Sequence, residues 1–282
     1  MFSVIIPAHN EASVIERCLT FLTEGLRENC AEIIVVCNGC TDDTAVRAAR
    51  FSGVKVIDTS VASKVTALNL GDEAAQYFPV VYMDADITIS IKDLIGTIEK
   101  MNADTNIMVS APRLTVDLSR SDMYVKSFYN VWMRLPYFTT GQMVGSGIFI
   151  LSELGRKRFN VFPNVISDDG YVRSLYQEYE RRTISDYCFT IFAPKTMADL
   201  IKIKTRVRFG NMEVSQKYAN VSIGKDNNSL DIIKLVLRRP WLVFQSFIYI
   251  YVQLQTKKLS RARMAIADFT TWERDESSRS DH

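Results

Sequence analysis

The chain has 282 residues, 47% of them hydrophobic and 23% charged, which is typical of a soluble protein with one large or two modest domains. The formal net charge of +2 excludes broad electrostatic capture of nucleic acid, so we expect no nucleic acid partner. Among the five cysteines only Cys37 and Cys40 form a CxxC pair, which argues against zinc and for reduced thiols in a cytoplasmic protein. The first residues lack the pattern of a secretory signal, and no apolar run is long enough to span a bilayer.

Strands and helices alternate along the first part of the chain. Apolar runs predict buried strands at 2–6, 33–36, 54–57 and 80–83, and helical patterns follow at 14–26, 45–51, 62–76 and 91–101. This alternation predicts an α/β fold with a mainly parallel sheet flanked by helices. Because crossovers between parallel strands are right-handed, we expect the polar loops at 7–11, 37–44 and 84–86 to share one edge of the sheet.

The fourth predicted strand ends in two carboxylates, Asp84 and Asp86, separated by one small residue. Carboxylates at the carboxyl end of a buried strand suit a hard divalent cation such as Mn²⁺ or Mg²⁺, which takes oxygen ligands and is often shared with substrate phosphates. The alternative interpretation is an ordinary turn in which Asp86 caps the next helix.

The pattern changes beyond residue 112. The segment 119–138 is rich in aromatic residues and predicts a helix that is apolar over much of its surface, and a flexible loop follows at 141–147. Ser167 or Asp168 can cap a later helix. The remaining predicted elements are a strand at 148–151, a helix at 171–180, a strand at 189–193 and a basic, turn-containing segment at 202–210.

The last part of the chain predicts a long helix at 230–254, interrupted at Pro240 and preceded by a linker at 226–229. The segment 238–258 combines aromatic and apolar residues with a cationic pair at each end, which is the composition of a helix lying at a membrane interface. A helix packed in the core or at a dimer contact is the alternative. The polar tail from 274 predicts disorder.

Several motifs together resemble those of family 2 glycosyltransferases of the GT-A type. They are 4–11 (VIIPAHNE), 38–42 (NGCTD), Lys64 with 67–69 (ALN), 84–86 (DAD), 145–147 (GSG) and the aspartates 168–169. The resemblance covers residues 2 to about 175. It implies a GT-A, Rossmann-like fold and inverting transfer of a sugar from a nucleotide-sugar donor to a hydroxyl acceptor.

The resemblance also implies a metal ion that neutralises the diphosphate leaving group. Asp86 is expected to bind Mn²⁺ or Mg²⁺ directly, while Asp84 lies nearer the ribose or binds the metal through a water molecule. Lys64 is expected to add positive charge near the diphosphate. Arg206 or Arg208 is expected to contact the diphosphate from a mobile loop, with a solvated basic strand as the alternative.

Pro7, Ala8 and Glu11 match positions that line the nucleoside in the family. Where many relatives carry aspartates that accept the uracil N–H, this sequence has Cys37 and Asn38. The amide oxygen of Asn38 can accept the same hydrogen bond, although the amide also brings a donor. A UDP-sugar is therefore favoured, and the departure leaves the identity of the base open.

Inverting transfer requires a base that deprotonates the acceptor hydroxyl. Asp168 and Asp169 stand where the family carries its carboxylate pair, and we assign Asp169 as the base with Asp168 as the alternative. Adjacent carboxylates repel each other, which raises the pKa of one of them. His9 is interpreted as orienting its loop. No late histidine ligand is expected, because His282 lies in the tail.

These assignments divide the chain into a nucleotide-sugar-binding half (1–112), an acceptor-binding half of the same domain (113–225), a C-terminal helical segment (226–273) and the tail (274–282). We expect a glycan or lipid-linked acceptor in cell-surface polysaccharide or glycolipid synthesis. We expect a cytoplasmic protein with peripheral contact at the inner face of the plasma membrane. The alternatives are an inactive scaffold that binds a sugar nucleotide or a glycan, and a nucleotidyltransferase. The oligomeric state stays open.

Overall fold

The computed structural model describes residues 1–27, 30–141, 146–218 and 229–266. The described residues form a sheet of seven strands in the order β3-β2-β1-β4-β6-β5-β7. Only β6 is antiparallel to its neighbours, so the predicted mainly parallel sheet is confirmed. The strands are β1 (Phe2–Ala8), β2 (Ala31–Asn38), β3 (Val54–Thr59), β4 (Val80–Met83), β5 (Val109–Asp117), β6 (Ile148–Leu151) and β7 (Arg181–Phe192).

Helices cover both faces of this sheet. In the described residues they are α1 (Ile15–Thr23), α2 (Thr44–Ala48), α3 (Lys64–Ala74), α4 (Ile91–Asn102), α5 (Met123–Trp132), α6 (Pro136–Thr139), α7 (Glu153–Arg156), α8 (Asp168–Ser174), α9 (Met197–Lys217), α10 (Ser229–Arg238) and α11 (Val243–Ile266). Two short 3₁₀ helices lie at Glu178–Glu180 and Pro240–Leu242.

The central strands are apolar without alternation because both of their faces are covered. All seven residues of β1 are buried. One face packs on α1 and α4, and the other packs on α3. Gly71 lets α3 approach β1 closely, since a Cβ atom at this position would lie 2.3 Å from Cγ2 of Ile5. This close packing fixes the start of α3, and with it Lys64, beside the carboxyl ends of the strands.

The sequence analysis did not predict the strand β5. This strand runs through residue 112, which we expected to be the end of the first half of the domain. The nine residues of β5 pair in parallel with β7, and the register shifts between Pro112 and Arg113. Proline removes a backbone donor and is tolerated in a strand at such an irregularity. The same pairing makes β7 longer than the predicted strand at 189–193.

The predicted turn-containing segment at 202–210 is wrong. These residues lie inside α9, whose N-terminus is capped by Thr196, because its Oγ1 accepts the backbone N–H of Asp199 at 3.3 Å. The predicted helix at 119–138 is likewise divided into α5 and α6, since proline stands at the first position of α6.

The predicted C-terminal helix and its interruption at Pro240 are confirmed, because α10 and α11 flank a 3₁₀ turn there. One face of α11 packs on α5 and α9, where Tyr249 stacks on Phe128 with ring centroids 5.2 Å apart. Among the described helices, none combines the length and apolar character that crossing a membrane requires. Gly145, residues 226–228 and the tail from 274 lie outside the described residues.

Candidate active site

A cavity of about 1210 Å³ opens at the carboxyl ends of β1, β2 and β4. The structure brings the three predicted polar loops together there, because Pro7, Glu11, Asn38, Asp84 and Asp86 all line it. The predicted residues Lys64, Asp168, Asp169 and Arg206 line the same cavity. Ala8 is instead buried beneath the loop, where its carbonyl accepts the Cys40 thiol at 3.3 Å.

Hydrogen bonds join the loops that follow β1 and β2 at the edge of the cavity. Nδ1 of His9 lies 2.6 Å from the carbonyl oxygen of Asn38, so His9 joins the loops that follow β1 and β2. The backbone N–H of Glu11 donates to Oγ1 of Thr44 at 2.8 Å. Asp42 accepts the backbone N–H of Thr44, the first residue of α2, at 3.1 Å. The contact of His9 agrees with an orienting role for this residue, and Asp42 holds the first turn of α2.

Asn38, and not Cys37, faces the cavity at the end of β2. Successive side chains of a strand point to opposite faces, and Cys37 is fully buried in the apolar core. Asn38 therefore occupies the position from which the resemblance expects a base contact.

Lys64 joins two carboxylates that lie far apart in the sequence. Its Nζ is 2.7 Å from Oδ1 of Asp84 and 3.1 Å from Oδ1 of Asp168. Burial by itself would lower the pKa of Lys64, but the charges of Asp168 and Asp84 outweigh burial and raise it above its usual value. Lys64 therefore stays protonated and holds the end of β4 against the start of α8. Sequence reasoning placed Lys64 near the diphosphate but missed its pairing with Asp168.

The two adjacent aspartates have different surroundings. Asp168 is only 5% exposed, and burial raises its pKa to about 6 even though Lys64 acts in the opposite direction. Asp169 is half-buried, and its Oδ1 accepts the backbone N–H of Gly170 at 2.7 Å and the Ser167 hydroxyl at 2.9 Å. Ser167 also caps α8, as predicted. Asp169 is thus the more accessible carboxylate of the pair.

The charge of this end of the cavity favours a cation. Five carboxylates line it, and Lys64 is a cation among them; the carboxylates are those of Glu11, Asp84, Asp86, Asp168 and Asp169. Within the described residues, no cluster of three or more His, Cys, Asp or Glu side chains can hold a metal by itself. Two carboxylates completed by phosphate oxygens and water suit Mg²⁺ or Mn²⁺, so the residues present fit a metal shared with a substrate.

Arg17 contacts the backbone of Asp86, and the sequence analysis did not predict this contact. Its guanidinium lies 3.7 Å from the ring centroid of Phe192 and donates to the backbone carbonyl of Asp86 at 3.5 Å. Burial lowers the pKa of Arg17, and Asp86 opposes this shift. The hydrophobic pattern of α1 does not indicate this role, because Arg17 lies outside its buried positions Ile15, Cys18, Leu19 and Leu22.

Another wall of the cavity comes from α9 and α11. Arg206 and Arg208 line the cavity from α9, which corrects the expectation of a mobile loop or a solvated strand. Arg208 donates to Oε1 of Gln253 on α11 at 3.4 Å. Lys204, which sequence reasoning did not single out, lines the same wall.

Comparison with known proteins identifies the family. Residues 3–156 match the family described as Glycosyl transferase family 2, which is more than half of the chain. The chain belongs to glycosyltransferase family 2. A comparison with curated proteins gives no match.

Solved structures of glycosyltransferases share the fold of this family 2 protein. A mannosyltransferase from Pyrobaculum calidifontis, in complex with GDP-Man and Mn²⁺, has a TM-score of 0.62 and 17% identity, covering 95% of this chain and 81% of that one. Glucosyl-3-phosphoglycerate synthase from Mycobacterium tuberculosis, in complex with Mn²⁺, UDP and glucosyl-3-phosphoglycerate, has a TM-score of 0.55 and 18% identity, covering 80% and 81%. The predicted GT-A fold is therefore confirmed.

Proposed function

We propose that this family 2 protein transfers a sugar, with inversion, from a nucleotide-diphosphate sugar to a hydroxyl of a glycan or lipid-linked acceptor in cell-surface polysaccharide or glycolipid synthesis. The observation that carries the proposal is the single cavity in which the nucleoside loops, the paired aspartates and Asp169 meet. The family match and the likeness to glycosyltransferase structures support the same reaction class.

Pro7, Ala8, Glu11 and Asn38 hold the nucleoside in this proposal. Pro7, Glu11 and Asn38 line the cavity, while Ala8 acts through its backbone from beneath the loop. The amide oxygen of Asn38 accepts a base N–H, which keeps a UDP-sugar as the favoured donor.

The paired aspartates and Lys64 handle the diphosphate end of the donor. Asp86 and Asp84 would hold Mn²⁺ or Mg²⁺, which would supply positive charge beside the leaving diphosphate. Because Lys64 already engages one oxygen of Asp84, Asp86 is the principal ligand in this proposal. Related GT-A structures contain Mn²⁺ or Mg²⁺, which supports this assignment. Arg206, which lines the cavity from α9, contacts the phosphates in this proposal.

Asp169 accepts the proton of the acceptor hydroxyl as that oxygen attacks the anomeric carbon. It is the more accessible of the two adjacent aspartates, whereas Asp168 is buried and paired with Lys64. A carboxylate that is reachable from the cavity is suited to this proton transfer.

Release of nucleoside diphosphate from UDP-, GDP- and dTDP-sugars tests the proposed function. With Mn²⁺ present, we expect release from a UDP-sugar, and we expect EDTA to reduce it about tenfold or more because the leaving diphosphate loses its counter-charge. Release from GDP-sugars alone would show that the uracil site was assigned to Asn38 wrongly. If no sugar nucleotide of the three classes is bound or cleaved, the proposed function fails.

We further propose that the segment 238–258 contacts the surface of an anionic membrane peripherally. Trp241, Phe244 and Phe247 are 72%, 57% and 67% exposed. Arg238 and Arg239 precede them, and this combination of cations and aromatic side chains suits an anionic lipid surface. This placement corresponds to the inner face of a plasma membrane.

Sedimentation with lipid vesicles tests this contact. The chain is expected to bind vesicles that contain phosphatidylglycerol several-fold better than neutral phosphatidylcholine vesicles. A Trp241→Ser, Phe247→Ser variant is expected to lose most of this binding. Leu154→Ser is the control, because Leu154 is 67% exposed on α7. The membrane contact would be refuted if the double variant bound the vesicles as well as the parent chain does. It would also be refuted if the parent chain formed a dimer that the double variant dissociated.

A further inference from the structure

Two arginines from different elements lie close together beside the cavity. Arg173 comes from α8 and lines the cavity, and its guanidinium carbon is 4.8 Å from the ring centroid of Tyr137 on α6. Arg181 is the first residue of β7 and is only 6% exposed. The groups whose charge acts on Arg181 are Arg173, Glu178 and Tyr137. The fold therefore brings two positive charges together at a largely buried position, where water screens their repulsion only weakly.

Both guanidinium groups have buried N–H donors without an acceptor. The Nε atoms of Arg173 and Arg181 and the Nη1 atom of Arg181 are buried, and none of the three has a hydrogen-bond partner among the described residues. By contrast, the guanidinium of Arg156, which is also largely buried, pairs with Asp72 at 2.7 Å. Because a buried charged donor without a partner is costly, the arginine pair is stabilised when an oxyanion accepts its N–H groups.

The charges of the metal and diphosphate end do not reach Arg181. Burial and the neighbouring Arg173 lower the pKa of Arg181 below its usual value, and the exposed Glu178 acts in the opposite direction. Five carboxylates line the cavity, all of them in described parts of the chain, and none is among the groups that act on Arg181. Arg206, the cation assigned to the donor diphosphate, is not among these groups either. The arginine pair is therefore electrostatically separate from the donor site.

We propose that Arg173 and Arg181 form a binding site for a phosphate group, separate from the site of the donor diphosphate. Each guanidinium presents its N–H donors in a planar fork that matches the oxygen atoms of a phosphate. Two guanidinium charges balance the charge of about −2 on a phosphate group, whereas a carboxylate balances only one of them. Because the two arginines belong to α8 and β7, a bound phosphate links these two elements. This inference goes beyond the proposed glycosyl transfer and does not depend on it.

Calorimetric titration of the full chain with inorganic phosphate, and with acetate at the same ionic strength, tests the inference. Phosphate is expected to bind about tenfold or more tightly than acetate, and Arg173→Met and Arg181→Met are each expected to weaken phosphate binding about tenfold or more. In phosphate-free buffer, Arg181→Met is expected to melt at the temperature of the parent chain or above it, since an apolar side chain replaces a buried charge that lacks a counter-charge. Equal affinity for acetate would refute the proposed phosphate site.

The source of the phosphate group is distinguished by titration with glycerol phosphate. Binding about tenfold tighter than that of inorganic phosphate would support a site for the phosphate of an organic ligand, because the rest of the molecule then adds contacts. Equal or weaker binding would support a site for free phosphate.

Two further variants serve as controls. Arg182 follows Arg181 in β7 but is exposed, so Arg182→Met is expected to bind phosphate like the parent chain. Arg206→Met removes the cation assigned to the donor diphosphate and is likewise expected to leave the phosphate affinity unchanged. If Arg173→Met and Arg181→Met bind phosphate as well as Arg182→Met does, the inference is wrong. A loss of phosphate binding in Arg206→Met as large as that in Arg173→Met would place the phosphate in the donor site and would also overturn the inference.

Discussion

Asp86→Ala is expected to reduce metal-dependent release of nucleoside diphosphate by about 10³-fold, because the leaving group then loses its principal counter-charge. The backbone carbonyl that accepts the Arg17 guanidinium remains in this variant, so the loop after β4 keeps its support. Mn²⁺ binding in the presence of UDP is expected to weaken in parallel. Initial rates over a range of Mn²⁺ concentrations, together with calorimetric titration of Mn²⁺, measure both effects.

Asp58→Ala provides a matched control for this variant. Asp58 is an exposed carboxylate near the end of β3, at the same edge of the sheet, and it is not among the residues that line the cavity. Its removal is expected to leave both the rate and the Mn²⁺ dependence unchanged. If Asp86→Ala binds Mn²⁺ and cleaves the donor as well as Asp58→Ala does, the assignment of the metal site is wrong.

Asp169→Asn is expected to lower kcat for sugar transfer by about 10²- to 10⁴-fold, since the acceptor hydroxyl loses its base. The KM for the donor is expected to change little, because the nucleoside and metal contacts lie on other loops. Asparagine keeps the shape of the side chain and can still accept the backbone N–H of Gly170 and the Ser167 hydroxyl. Steady-state kinetics with a saturating acceptor separate the effect on kcat from the effect on KM.

Asp168→Asn is the comparison that distinguishes the two adjacent carboxylates. Removing the buried Asp168 charge leaves Lys64 paired with Asp84 alone, so the expected change is in donor affinity rather than in the acceptor step. The loss in kcat is expected to be about tenfold or less, since Asp168 acts only through Lys64. A larger loss in kcat for Asp168→Asn than for Asp169→Asn would identify Asp168 as the base.

The placement of Cys37 in the core and of Asn38 at the cavity agrees with a rule that applies to any strand sequence. Strand residues alternate between faces, and β2 ends at Asn38. The sequence analysis considered Cys37 and Asn38 together as the positions of the base contact. The alternation within β2 shows that their side chains point to opposite faces of the sheet. The helix α9 is a different case, because its cavity side carries Lys204, Arg206 and Arg208 where an ordinary core-facing helix has apolar residues. The periodic spacing of apolar residues that predicts a helix was therefore not recognisable in this segment, because cations occupy the positions that line the cavity.

The sequence by itself determined the first four strands and the meeting of their polar loops. Continuous apolar runs specify strands buried on both faces, and right-handed crossovers leave one arrangement for the loops. Only the tertiary structure decided that Lys64 bridges Asp84 and Asp168, that β5 pairs with β7 through residue 112, and that α9 and α11 form a cationic wall. These features depend on contacts between residues far apart in the chain, and local patterns of hydrophobicity and charge carry no record of such contacts.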